Sequence, residues 1–433
     1  MIWKRWYAFK SYVLSALWLA PLIAIALALI TFWGSRALDL DFGGIPGFTF
    51  SDYGIVSAMD ISITATLSYI VFAFGSLLVA IQVSSAQLTP RIIATTLLRD
   101  NVIRSIVGVF VYGLLIAIAV KNRMDTVPRF MISLAALWAL ISTVAFLFLI
   151  DYAARLLRPV TIVWRVGRQG LKVIESVYPR PIGKQGAASD RSRQDLGPAD
   201  RIVDHRGTSG VVLAVNLEAL IAEAQRADGI IEFVPRVGDF VAVGEPLFLL
   251  RGGAAAIPAR KLRGQVAFGP ERTIEHDSTF ALRIIVDIAI KALSKAINDP
   301  TTAIVAIDQL HRLLRAAGKR HLHDDTVFDR TGTLRVILRT PDWDDFVQLA
   351  YSEIRLYGAE NFQVARRLRA TSENLIQTLP EHRHAALRRE LDLLDRALGT
   401  LYAFPEDLAL ARIPDTQGLG GASGVISAAP LTA

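Results

Sequence analysis

The sequence predicts a membrane protein with four transmembrane helices, followed by a cytosolic α+β region that combines a small β-barrel or sandwich-like domain with a helical domain. Of its 433 residues, 52% are hydrophobic and only 20% are charged, whereas a soluble protein of this size needs more charge to cover its surface. Residues 1–178 hold 15 Lys and Arg against 8 Asp and Glu, while residues 179–433 hold 32 of each. The net charge of +7 therefore belongs to the apolar part of the chain, which favours membrane topology and removes the support for a nucleic-acid partner.

The predicted transmembrane domain, residues 1–152, contains four uncharged apolar runs. The first, residues 11–34, has 24 residues and can cross ~30 Å of hydrocarbon. It is too long for the apolar region of a cleaved signal peptide, so it is interpreted as a span. The second run follows Asp60 and continues to Pro90, the third has 16 residues from Ser105 to Val120, and the fourth has 21 residues from Phe130 to Ile150.

The basic residues that flank these runs predict the orientation. Eleven lie on the side of the N-terminus and four on the other side, and basic residues in short flanks favour the cytoplasmic face. We therefore expect a multi-pass protein of the bacterial inner membrane, in contact with the lipid bilayer, with both termini cytoplasmic. The four outer basic residues are Arg36, Lys121, Arg123 and Arg129.

The second run carries small and polar residues at spacings of three and four, which places them on one narrow stripe of a helix. The stripe consists of Ser62, Thr66, Tyr69, Ala73, Ser76, Ala80, Ser84 and Gln87. Two interpretations remain open. Hydroxyl and amide groups can replace hydration around a passing ion, which favours a pore lining, and small residues let helices approach closely, which favours packing. No ionisable residue lies in the middle of a span, which counts against a proton-coupled transporter or voltage sensor.

Three segments connect or end the predicted domains. Residues 153–178 are basic and amphipathic, so they could lie along the inner leaflet or continue the last span as a helical stalk. Residues 179–200 are rich in Pro, Gly, Ser and charge, which is typical of a flexible linker. Residues 413–433 lack the apolar periodicity of a folded element and are predicted to be disordered.

The cytosolic region divides into a β-rich part and a helical part. Residues 201–270 alternate short apolar runs with Gly and Pro, as in a small barrel or sandwich. The pattern G-D-x-V-x-x-G-x-P-L from Gly238 to Leu247 resembles that of biotinyl and lipoyl carrier domains, but residues 229–250 contain no lysine that could carry a cofactor. Residues 271–412 have helical periodicity, and Asp299 and Asp342 are predicted to cap two of the helices.

Four stretches of the chain are distinctive: IQVSSAQLTPRII (81–93), ERTIEHD (271–277), DIAIKALSKAINDPTTA (287–303) and EIRLYGA (353–359). They resemble a family of predicted bacterial membrane proteins, the domain of unknown function numbered 2254. The resemblance covers nearly the whole chain and implies four spans with a cytosolic region, but no activity. Two positions depart from the expected pattern, with Lys295 in place of Pro and His276 in place of Gln.

These stretches supply two groups of candidate site residues. Arg272, Asp277, Asn298 and Asp299 lie at the ends of apolar helices, where they could bind an ion or small ligand or could serve as caps and an ion pair. Ser85, Pro90 and Arg91 follow the second span at its predicted cytoplasmic mouth. Arg91 could attract anions there or anchor to lipid phosphate.

The sequence offers little support for enzymatic chemistry. Cysteine is absent, and there is no phosphate-binding glycine loop or nucleophile elbow, so we expect neither an enzyme nor a cofactor. Acidic and histidine residues between 275 and 311 match no metal-binding spacing. Two His-x-His pairs are expected to be solvated rather than metal ligands; they are His321 with His323, and His382 with His384.

From these observations we expect an oligomeric channel or transport-like protein of unknown substrate, whose cytosolic region controls assembly or gating. A symmetric homo-oligomer suits four spans per chain because a ring needs only one polar face from each subunit. The alternative is a membrane-anchored scaffold or sensor without a transport path.

Overall fold

The computed structural model describes residues 19–37, 52–87, 101–122, 129–156, 158–182, 196–322 and 325–420. They fall into two compact units. The membrane unit holds the described residues from Leu19 to Ala86 and from Asn101 to Ile162, and its described part is helical. The α+β unit holds Gln87 and the described residues from Val163 onward. Ser85 lies in the described backbone without a described side chain, and the predicted mouth residues Pro90 and Arg91 lie outside the described residues.

The membrane unit contains four described helices, three of which are long and apolar enough to cross a bilayer. Their candidate spans are Tyr53–Val79, Asn101–Lys121 and Phe130–Ala153. The first of the four predicted spans is described only from Leu19 onward, with a shorter apolar stretch, Ala20–Thr31; it stays a prediction. The helices are α1 (Leu19–Ala37), α2 (Asp52–Gln87), α3 (Asn101–Lys121) and α4 (Arg129–Leu156).

Helix α3, which contains the shortest predicted run, is the most buried of the three candidate spans. Half of its apolar stretch is buried (50%), against 17% in α2 and in α4. Gly108 lies against the backbone of Ala20 in α1, and the indole N–H of Trp138 in α4 donates to the carbonyl of Val109, 2.8 Å away. Lys121 forms an ion pair with Asp60, so one of the predicted outer charges is balanced at the start of the second span.

The helix that the sequence describes only as an amphipathic connector is α5 (Pro159–Val177), and it belongs to the α+β unit from Val163 onward. Its small residues let it approach the helical region: Gly167 lies against the side chain of Gln309, and Gly170 against Ala281 and Leu313. Its apolar face is buried from Val163 onward. On this side α5 is therefore a core helix of the α+β unit.

Two sheets form the β-rich region of the described residues, and neither confirms a barrel-sandwich domain. The strands are β1 (Arg201–Asp204), β2 (Gly210–Val215), β3 (Gly229–Phe233), β4 (Phe240–Val241), β5 (Pro246–Gly252), β6 (Val266–Gly269), β7 (Thr326–Phe328) and β8 (Leu334–Leu338). One sheet has the order β1-β5-β3-β8-β7, and the other has the order β4-β2-β6. Strand β8 pairs in parallel with β3, so chain beyond residue 300 completes the sheet that begins in the predicted 201–270 domain.

The remaining helices enclose a core of Ile, Leu, Val and Ala side chains. Asp342 caps one of them in a capping box with Asp345, as the sequence predicts for this position. The helices are α6 (Leu217–Ala227), α7 (Ala259–Arg263), α8 (Ser278–Ala292), α9 (Pro300–Gly318), α10 (Trp343–Gly358), α11 (Phe362–Thr378), α12 (His384–Leu401) and α13 (Pro405–Ala411).

Residues 413–420, which belong to the segment predicted to be disordered, are described and are hydrogen-bonded to the rest of the unit. The carboxylate of Asp415 accepts hydrogen bonds from the backbone N–H groups of Gln417, Gly418 and Gly420. Arg366 in α11 donates to the carbonyls of Ile413 and Gly420. Polar contacts, rather than the apolar periodicity used in the prediction, hold this segment.

Candidate functional site

The stripe of small and polar residues predicted on α2, which we call the inner stripe, lies against other helices of the same chain in its described part. Thr66 is 4% exposed and Ala73 is 2% exposed. Between them, the ring of Tyr69 stacks on Phe146 of α4, with centroids 4.2 Å apart. Its hydroxyl lies 3.3 Å from the Thr143 hydroxyl oxygen. These contacts favour the packing interpretation, because a pore-lining group has to face water.

Other members of the stripe are less informative. Ser62 and Ser76 are half-buried, and the Ser76 hydroxyl donates to the carbonyl of Ala73. This bond satisfies the hydroxyl within its own helix, as serine in a membrane helix requires. The side chains of Ala80, Ser84 and Gln87 lie outside those that the structure describes.

The opposite side of α2 carries a second set of small and polar residues that the sequence reasoning missed. Thr64, Ser68, Gly75 and Gln82 are all exposed, and the Ser68 hydroxyl donates to the Thr64 carbonyl over 2.9 Å. Their spacings of four and seven residues are the signal that could have revealed this face. We call these four residues the outer face of α2.

In the α+β unit, Asp277 connects a helix end to the β-rich region. Its Oδ1 accepts hydrogen bonds from the backbone N–H groups of Thr279 and Phe280 at the start of α8. Its Oδ2 is buried without a hydrogen-bond partner and lies 3.9 Å from Nη1 of Arg272. A Cβ at Gly238 would lie 2.5 Å from this oxygen, and Gly238 has φ +96°, so only glycine fits this turn.

Burial governs the electrostatics around Asp277. It raises the pKa of the Asp277 carboxyl above its ordinary value, although the Thr279 hydroxyl and Arg272 oppose the shift. Burial also raises the pKa of Tyr178 to about 12, and the Tyr178 hydroxyl lies 3.5 Å from that of Ser278. Asp277 is thus a helix cap whose charged form is disfavoured in the folded state.

This shift predicts how Asp277→Asn changes the pH dependence of stability. The raised pKa means that the folded state binds the proton of the Asp277 carboxyl more tightly than the unfolded state does. The parent therefore loses stability as the pH rises from ~4, the pKa of this carboxyl in the unfolded chain, through its higher pKa in the folded state. Asparagine keeps the cap oxygen but does not titrate. Unfolding temperatures measured from about pH 4 to pH 8 should therefore fall less steeply in Asp277→Asn than in the parent.

The control for this prediction is Asp277→Ala, which removes the cap itself. Since alanine, like asparagine, does not titrate, Asp277→Ala should be less stable than Asp277→Asn by about 1 kcal/mol across the same pH range. Parallel pH curves for the parent and Asp277→Asn would show that the buried carboxyl does not titrate in this range.

The remaining candidates lie at the other end of α8. Asp299 accepts hydrogen bonds from the backbone N–H and the hydroxyl of Thr302, which confirms it as the cap of α9. Asn298 has φ +46°, a left-handed conformation that asparagine tolerates. Because the 15 residues of α8 separate this corner from Asp277 by ~20 Å, the four predicted residues do not form one site.

The histidines and carboxylates considered as metal ligands have other partners. Asp308 pairs with Arg367, the His311 ring lies 3.0 Å from Oδ1 of Asn374, and His384 contacts the carbonyl of Leu379. His323 lies outside the described residues. Within the described ranges, no three His, Asp or Glu side chains come together as a metal site requires.

Comparison with known proteins identifies a family and several relatives of this chain. A family model described as "Predicted membrane protein (DUF2254)" matches residues 14–374. An uncharacterized protein of Mycobacterium bovis is 26% identical over 434 aligned positions, covering 93% of this chain and 80% of that protein. An uncharacterized protein of Mycobacterium tuberculosis has the same identity and coverage. No solved structure matches the chain.

Proposed function

The chain belongs to the family described as Predicted membrane protein (DUF2254), and we propose that it is a membrane-anchored scaffold or sensor. In this function the transmembrane helices hold the soluble α+β unit at the bilayer, and the soluble unit makes the functional contacts. The observation that carries the proposal is the burial of Thr66 and Ala73 inside the chain's own helix packing.

This burial matters because the residues that the sequence suggests as a pore lining are covered by other side chains of the same subunit. Opening a water path along Thr66, Tyr69 and Ala73 would separate α2 from the aromatic rings of Phe110 and Phe146. The separation would forfeit close-packed contacts, each weak but large in sum. A static anchor keeps these contacts, so it fits the stripe better than a path within one subunit does.

The connection between the two units also suits an anchor or sensor. Helix α4 ends at Leu156 and α5 begins at Pro159, with only two residues between them. Because α5 is packed into the soluble unit from Val163 onward, a change in that unit can act on the last transmembrane helix through a short connection. The same connection allows a membrane signal to reach the soluble unit.

An oligomeric channel is the second candidate, and the outer face of α2 favours it. Thr64, Ser68, Gly75 and Gln82 are exposed along a helix of 36 residues. In a ring of subunits, this face rather than the inner stripe would border a central path. The channel hypothesis thereby predicts different pore residues from those that the sequence first suggested.

Ion flux through the purified full-length protein in liposomes distinguishes the two candidates. An anchor leaves the vesicles as tight as protein-free vesicles, and Ser68→Leu changes nothing. A flux that Ser68→Leu blocks would replace the anchor with a channel lined by the outer face. Leu67→Met, on the same exposed side, is the control for substitution at this surface.

A further inference from the structure

The exposed side of α5 differs from its buried side in both charge and composition. Trp164, Arg168 and Lys172 recur every four residues and are all exposed, so they follow one side of the helix. Trp164 is 46% exposed, so a large amphipathic ring lies on this side together with two cationic side chains.

Helix α9 extends this surface. The guanidinium of Arg312 lies over the Trp164 ring, 5.4 Å from its centroid, in a cation–π contact. Arg315 follows one turn later and is also exposed. We call these five residues the basic face of the soluble unit: Trp164, Arg168, Lys172, Arg312 and Arg315.

Acidic residues do not offset this charge along α5. Its only acidic residue, Glu175, lies in the last turn and is 3.6 Å from Nη2 of Arg320. Since the chain from residue 179 onward has equal numbers of acidic and basic residues, the basic face is a local concentration of charge. Such a surface attracts an anionic partner that lies close to it.

We propose that the basic face binds the anionic phospholipid headgroups of the leaflet next to the soluble unit. Trp164 is only eight residues beyond Leu156, the last residue of α4, so the chain keeps it within ~30 Å of that helix end. An amphipathic indole between cationic side chains matches the interface between headgroups and hydrocarbon. Lysine and arginine beside a membrane helix are held there by anionic lipid.

A nucleic acid fits the basic face less well. The nucleic acid would have to approach a surface that is tethered next to the bilayer, where anionic lipids repel it. The same lipids compete for the basic face, because tethering keeps them at high local concentration. The proposal takes from the proposed function only the anchoring of the chain, and it gives the soluble unit a preferred lipid partner. Binding to these headgroups would hold α5 at a leaflet that contains anionic lipid.

The test uses the full-length protein in nanodiscs. Because the chain has no cysteine, a fluorescent label at Ser176→Cys, one turn beyond Lys172 on the same side, is unique. A lipid that carries a nitroxide on its headgroup should quench this label strongly in discs containing phosphatidylglycerol and weakly in pure phosphatidylcholine. A label at Thr400→Cys, on the exposed end of α12, should be quenched weakly in both.

Charge reversal then tests the residues. The double substitution Arg168→Glu and Lys172→Glu should abolish the excess quenching at position 176, since each basic residue near an anionic leaflet gives roughly a fivefold preference. The matched reversal of two exposed arginines elsewhere, Arg330→Glu and Arg388→Glu, should leave it unchanged. Salt should weaken the quenching in the parent, because headgroup contacts at a surface are screened.

Equal quenching in the two kinds of disc would overturn the proposal. So would quenching that survives the reversal of Arg168 and Lys172, or a short oligonucleotide that removes the quenching at stoichiometric concentration, which would indicate a nucleic-acid surface. The quenching measured at position 176 does not depend on whether the protein conducts ions. Leaky vesicles with intact quenching would reject the anchor function alone, and tight vesicles without quenching would reject lipid docking alone.

Discussion

Replacing Arg366 with leucine is expected to lower the unfolding temperature of the soluble unit by roughly 10 °C. Arg366 is 1% exposed, and its guanidinium donates to the carbonyls of Ile413 and Gly420 at 2.8 and 2.7 Å. Leucine removes these donors and leaves the nearby Asp415 carboxylate, 4% exposed, without its buried positive neighbour. Breaking a buried charged contact from one side costs about 3–5 kcal/mol.

The measurement is thermal unfolding of the purified full-length protein, followed by circular dichroism. Arg388→Leu is the control, because Arg388 is exposed and such surface changes stay within about 0.5 kcal/mol. Ending the chain after Arg412 should reproduce much of the Arg366→Leu loss, and ending it after Gly420 should not. Equal unfolding temperatures for the two truncations would mean that the Asp415 turn does not stabilise the unit.

The second large effect concerns the helix packing of the membrane unit. Ala73→Leu adds three carbon atoms at a residue that is 2% exposed and packs among Leu77, Ile106 and Phe110. Overfilling such a contact costs about 1–3 kcal/mol. We expect the purified variant to lose its helical signal at a lower temperature than the parent, or to be recovered from membranes in lower yield.

Gly75→Leu is the matched control on the same helix. A Cβ at Gly75 meets nothing within 4 Å, and leucine favours the helix more than glycine does. This variant should therefore be as stable as the parent or more stable. If Gly75→Leu were the more damaging substitution, the outer face of α2 rather than the inner stripe would be the packed surface, as in an oligomer.

Local patterns predicted the parts of this fold that depend on local physics. The apolar runs from Asp60 to Pro90 and from Phe130 to Ile150 overlap candidate spans, and Asp299 and Asp342 cap helices where the sequence predicts them. These features follow from composition and from contacts within four residues. They require no knowledge of distant neighbours.

Features that depend on distant contacts were not predicted. The parallel pairing of β3 with β8 joins residues about a hundred positions apart, and the order of residues 413–420 depends on Arg366 in another helix. The inner stripe of α2 was recognised, but periodicity alone does not say which side of a helix meets a neighbour. The basic, amphipathic character of α5 was predicted, but the sequence did not indicate that its apolar side packs against α9.

The central claim is that the inner stripe of α2 is a packed seam and not a water path. Thiol labelling of Ala73→Cys in proteoliposomes tests it most directly, because the parent has no cysteine. With a charged, water-soluble methanethiosulfonate reagent, Ser176→Cys in the soluble unit should react fully, while Ala73→Cys should react no faster than the cysteine-free parent. Reaction of Ala73→Cys at the rate of Ser176→Cys would contradict the account and show that water reaches the stripe.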